Sequence, residues 1–69
     1  MSVADEVLKQ PEYERGELVV PLALADRLGA TSMDVRAACK SLLERGQLMR
    51  DGMNFRKAQR HWIHRRRLA

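Results

Sequence analysis

Leu24-Ala25-Asp26-Arg27-Leu28-Gly29-Ala30-Thr31-Ser32-Met33-Asp34-Val35-Arg36-Ala37-Ala38-Cys39-Lys40-Ser41-Leu42-Leu43-Glu44-Arg45-Gly46-Gln47-Leu48-Met49-Arg50 is the stretch that decides the fold. Leu24, Ala25 and Leu28 fall at helical spacing, and Gly29 suits the left-handed residue that ends a helix. Thr31 is an N-cap, with Asp34 placed to complete a capping box. Val35, Ala38, Cys39, Leu42 and Leu43 then repeat at i, i+3, i+4, i+7 and i+8, the inward stripe of a second helix. Gly46 stops that helix, and Leu48 opens a strand. Two helices joined by a tight turn leave the outer face of the second one free to meet a partner.

Downstream, Asp51-Gly52 between two short runs signals a hairpin. With those residues as the turn, Arg50 pairs with Met53, Met49 with Asn54 and Leu48 with Phe55. Leu48 and Phe55 then share the face that packs on the helices. Upstream, Pro21 fits the first position of the first helix of the pair. Gly16 precedes Leu18-Val19-Val20, a short strand. Ser2 caps a further helix over residues 3–9, where Asp5 and Glu6 in the first turn suit the helix dipole and Val3 and Val7 share a face. Pro11 ends it, because proline disfavours helical geometry in the preceding residue, and Tyr13 is a packing residue in the connector. In the basic tail, residues 57–69, Ala58, Trp62 and Ile63 fit one face of a C-terminal helix. The alternative is a long hairpin loop with its return strand at residues 61–64. The expected fold is mainly α, a three-helix core with a small β-hairpin wing and room for a C-terminal helix, in one domain over residues 1–69.

Composition narrows the function classes. At 69 residues, 45% hydrophobic and 32% charged, the chain has the make-up of a small globular domain rather than a disordered one. No apolar run approaches the roughly 20 residues that span a bilayer, so no membrane partner is expected. The acidic start Met1-Ser2-Val3-Ala4-Asp5-Glu6 lacks the apolar region of a signal peptide. The single cysteine, Cys39, excludes an internal disulfide and fits a reducing compartment; the expected location is cytoplasmic and nucleoid-associated. The net charge of +4 conceals an asymmetry. Residues 1–26 carry two cations and six acids, and residues 27–69 carry eleven cations and three acids. A basic second half is the footprint of a phosphate-binding surface.

The inward stripe leaves Ser32, Met33, Arg36, Ala37, Lys40 and Ser41 near the opposite face of the second helix. Arginine donates two hydrogen bonds to guanine O6 and N7, and lysine reaches guanine or phosphate. Ser32 and the helix N-terminal amides suit a phosphate. Arg50, Asn54, Arg56 and Lys57 surround the hairpin turn, where they suit the sugar–phosphate backbone or the minor groove. Arg65, Arg66 and Arg67 add salt-dependent phosphate contacts. His61 and His64 lack the further ligands a zinc site needs, and Cys39 on the inward stripe is a core residue. No phosphate loop or catalytic arrangement is present, so no cofactor and no enzyme activity are expected.

The run from Leu24 to Thr31, then Val35-Arg36, then Leu42 to Arg50, within a span of 27 of the 69 residues, resembles the winged helix-turn-helix of bacterial regulators of the GntR and MarR types. The hairpin extends the resemblance to Lys57. It implies double-stranded DNA as partner and a small transcriptional regulator of bacterial or phage kind, with the second helix in the major groove and the wing on the backbone. Carried onto matching positions, the DNA-touching residues are Thr31, Ser32, Met33 and Arg36, with Lys40 one turn on. The chain departs from those families in lacking an effector domain and long dimerising helices; the tail from Ala58 can supply a homodimer contact instead. Z-DNA-binding winged helices carry Asn and Tyr where this chain has Arg36 and Lys40. The rival reading is a winged-helix protein-interaction module, docked through the acidic first 26 residues or Trp62, or an RNA-binding winged helix.

Overall fold

The computed structural model describes residues 2–58. The expectations for Trp62, for Arg65, Arg66 and Arg67, and for a helix or strand after Gln59 lie outside these residues. The elements are α1 (Val3–Leu8), α2 (Pro11–Arg15), α3 (Pro21–Leu28), α4 (Ser32–Glu44), β1 (Leu48–Asp51) and β2 (Asn54–Lys57). The layout is mainly helical with one antiparallel hairpin.

The helix pair follows the sequence signals closely. Gly29 takes φ 67, and the Ala30 N–H reaches back to the Ala25 carbonyl at 3.0 Å. That bond satisfies a carbonyl the helix end would otherwise leave open, in a backbone conformation that favours glycine. The Thr31 hydroxyl oxygen accepts from the Asp34 N–H at 3.1 Å and fixes the start of α4. At its far end the Gln47 N–H bonds the Leu42 carbonyl at 2.9 Å across Gly46. Ser2 caps α1 in the same way, accepting from the Asp5 N–H at 3.2 Å. Thr31→Ala removes the α4 cap and is expected to cost about 1 kcal/mol, read as a lower urea midpoint with an unchanged slope; an unshifted midpoint would show that the cap contributes nothing.

Two expectations are corrected. Pro11 does more than end α1: Gln10 before it is extended, and Pro11 itself opens the one-turn helix α2, which Gly16 closes at φ 73. Proline has no N–H to lose at a first helical position. The described residues therefore hold four helices, and Tyr13 sits on a helix rather than in an irregular connector. The hairpin register also differs. Asp51 pairs with Asn54, Arg50 with Phe55, Met49 with Arg56 and Leu48 with Lys57, so Gly52 and Met53 form the turn. Of those two only Gly52 has positive φ, at 64. A turn centred on Asp51-Gly52 of the expected kind needs positive φ at both residues, which puts a side chain in the left-handed region. Moving the turn one residue on leaves that conformation to glycine alone.

The core gathers on α4. Val35, Cys39 and Leu42 are fully buried there against Val7 of α1, Leu24 and Ala25 of α3, and Leu48 and Phe55 of the hairpin. Leu43 packs on the edge of this cluster, while Ala38 is half-buried. The expected strand at Leu18-Val19-Val20 reduces to one residue. Val19 bridges Phe55, its N–H donating to the Phe55 carbonyl at 2.6 Å and its carbonyl accepting from the Phe55 N–H at 3.1 Å. This bridge holds the hairpin to the connection between α2 and α3. Arg27 joins α3 to the start of α2, with its two terminal nitrogens on the Glu12 carboxylate at 2.9 and 2.8 Å and a further bond to Gln10 Oε1 at 2.9 Å. The guanidinium holds the Glu12 carboxyl below the usual carboxylate range.

Candidate nucleic-acid interface

The burial of Val35, Cys39 and Leu42 fixes the rotation of α4 and turns Met33, Ala37, Lys40 and Ser41 to the outside. Ser32 and Arg36 are half-buried at the margin of that face. Arg36 leans toward the hairpin, where its Nη1 donates to the Met53 carbonyl at 3.3 Å. The tip of the hairpin and the outer face of α4 therefore adjoin and make a single surface. Among the described residues Arg36, Lys40 and Arg50 form no ion pair. Their charge is thus open to a partner. Thr31 sits at the N-terminal edge of the same face, its oxygen engaged as the α4 cap and its hydroxyl proton still able to donate.

The hairpin cations divide into two kinds. Arg50 lies opposite Phe55 in the ladder, with its guanidinium carbon 5.5 Å from the ring centroid. This contact covers the outer end of the core and leaves the charge in water, with a modest gain from the ring quadrupole. Lys57, on the same hairpin face, stands 5.4 Å from the Tyr13 ring centroid and so lies toward α2. Arg56 points to the opposite face. Its Nε bonds Asp51 Oδ2 at 2.8 Å and its Nη1 bonds the Gly16 carbonyl at 2.7 Å. Arg56 is accordingly engaged in tying the hairpin to the end of α2. Asn54 shares the outer hairpin face with Arg56 and is half-buried.

The expected site residues are thus brought together in part. Thr31, Ser32, Met33, Arg36, Lys40 and Ser41 share one side of α4, and the hairpin tip joins them through Arg36. Arg56 and Lys57 are drawn toward α2 instead. Met53 was not among the expected site residues; the displaced turn carries it to the tip beside Arg36. A turn assignment that allowed glycine only at the first central position would have found it.

No protein-family model, curated protein or solved structure matches this chain. The functional reading therefore stands on charge, exposure and geometry. Among the described residues no group of three or more His, Cys, Asp or Glu side chains converges as a metal site would require. No described helix is long and apolar enough to cross a membrane. Cys39 is fully enclosed by the core. Burial pushes its thiol up to about 11, so it is a protonated, apolar packing group at neutral pH.

Proposed function

We propose that this chain is a small winged-helix protein that binds double-stranded DNA and acts as a transcriptional regulator. In this reading α4 lies in the major groove and the hairpin lies beside it on the sugar–phosphate backbone. The observation that carries the reading is the Arg36–Met53 hydrogen bond, which joins the outer face of α4 to the hairpin tip in one surface. Three cations on that surface, Arg36, Lys40 and Arg50, have no acidic partner among the described residues. The order of elements supports the winged layout: helices, an extended bridge at Val19, a helix–turn–helix, then a hairpin. Arg36 and Lys40 read base edges, Ser32 and the α4 amides hold a phosphate, and Arg50 meets the backbone. Arg56 acts indirectly, by fixing the angle of the hairpin through Asp51 and Gly16.

Titration with mixed-sequence duplex DNA, followed by two-dimensional amide NMR at low and moderate salt, tests this. The expected result is salt-sensitive shifts over residues 32–41 and 50–57. Salt sensitivity follows from release of counterions by the neutralised phosphates. Absence of shifts in both segments would overturn the reading. Shifts confined to the acidic N-terminal residues and Trp62 would point to a protein partner, and preferential displacement of the duplex by structured RNA would point to an RNA ligand.

A further inference from the structure

Met33 and Met53 are the most exposed large apolar side chains among the described residues, at 80% and 78%. Burying a methionine stabilises a fold, so the core has no use for two left in water. Both border Arg36. Met33 stands one turn before it on α4, and the Met53 carbonyl accepts its hydrogen bond. Ala37, exposed one turn after Met33, continues the apolar strip toward Lys40. Arg36 thus has an exposed methionine residue near it on each of two elements, one turn away on the helix and at the hairpin tip whose backbone it bonds.

Charge decides what such a surface takes. An apolar protein groove gains nothing from Arg36, Lys40 and Arg50, which make no ion pair among the described residues. The major groove of DNA offers both chemistries side by side. Guanine presents two acceptors to a guanidinium, and thymine presents the one apolar group in the groove, its 5-methyl. A methionine thioether is flexible and polarizable enough to settle on that methyl.

The geometry points to Met33 and Met53 as thymine readers: their side chains pack on the 5-methyl groups of thymines next to a guanine held by Arg36. This rests on the duplex-binding reading above and adds a base preference to it. The step involves packing alone, with no covalent change.

The test begins with duplexes that the protein enriches from a random pool. Each thymine in an enriched duplex is replaced by deoxyuridine, which deletes the methyl and leaves the Watson–Crick pairing intact. Binding is expected to weaken about fourfold for each methyl read, the worth of one buried methyl-sized group. Met33→Ala and Met53→Ala are each expected to abolish the thymine–uracil difference at their own position. Both side chains are exposed, so the variants keep the fold. Equal binding of the thymine and uracil forms by the parent protein would overturn the proposal, as would a thymine–uracil ratio that neither variant changes. Enrichment of duplexes with a defined sequence but no thymine dependence would sink this inference alone. Failure to retain any duplex from the pool would overturn the duplex-binding reading beneath it.

Discussion

Phe55→Ala is expected to destabilise the protein by about 3–5 kcal/mol, the usual cost of deleting a large buried aromatic. Domains of this size sit near the lower end of the usual range of stability, which begins at roughly 5 kcal/mol, so the variant should retain at most about 2 kcal/mol and carry a measurable unfolded population at room temperature. Three features concentrate the loss at this residue. Its ring is fully buried. Its backbone carries both hydrogen bonds of the Val19 bridge. It also supports the Arg50 guanidinium that covers the end of the core. Removing the ring opens a cavity in the core cluster and loosens the only described backbone tie between the hairpin and the segment before α3. Urea unfolding followed by circular dichroism measures the effect. Met53→Ala, two residues away at the exposed tip, is the control and should stay within about 0.5 kcal/mol of the parent. A Phe55→Ala loss no larger than that of Met53→Ala would contradict the burial of the ring.

The parts of the fold legible in the sequence are those decided by local chemistry. Gly29, Thr31 and Gly46 each mark a helix end for a reason that lies within a few residues, and each does so in the structure. The inward stripe gave the rotation of α4, and with it the outer face that carries Met33, Lys40 and Ser41. The helix α2 was not legible, because proline carries two messages. It drives the residue before it out of helix and can itself start a new one, and only packing decides whether the second message is used. Tyr13 on the edge of the core supplies that packing.

The hairpin shows a subtler failure. Leu48 and Phe55 share the buried face in both the expected and the observed register, directly opposite in the first and diagonal in the second. The two registers differ by two residues along the partner strand, and side chains alternate with a period of two. Facing alone therefore could not choose between them; the positive φ at Gly52 alone does. The consequences reach the site. The observed register puts Met53 at the tip and sets Asp51 and Arg56 on one face, close enough for their 2.8 Å ion pair. The bond from Arg56 to the Gly16 carbonyl joins residues 40 apart in sequence, so no local signal could have foretold it.

Arg36→Ala is the variant expected to change function most. A bidentate arginine–guanine contact is worth about 1–3 kcal/mol of discrimination against a wrong base, roughly a fivefold to 150-fold loss in the binding ratio between an enriched duplex and its single-base variants. The expected loss has two sources. One is the contact itself. The other is orientation: Nη1 is held by the Met53 carbonyl at 3.3 Å, so the planar fork is already aimed, with its remaining donors left for a base edge. Removing Arg36 deletes the reader and also frees the hairpin tip from α4. Arg36→Lys separates discrimination from charge. Lysine restores the charge, and therefore the salt slope and the affinity for mixed-sequence DNA, but cannot form the planar two-point contact. Discrimination should stay lost in Arg36→Lys while general affinity recovers. The amide signals of Met53 and Asn54 should move in the free Arg36→Ala protein, before any DNA is added, because the carbonyl that ties the tip to the helix has lost its donor. Unchanged binding ratios across duplex variants would take Arg36 out of base reading and leave it as a clasp between helix and hairpin. Unmoved tip amides with lost discrimination would leave it as a reader that needs no such clasp.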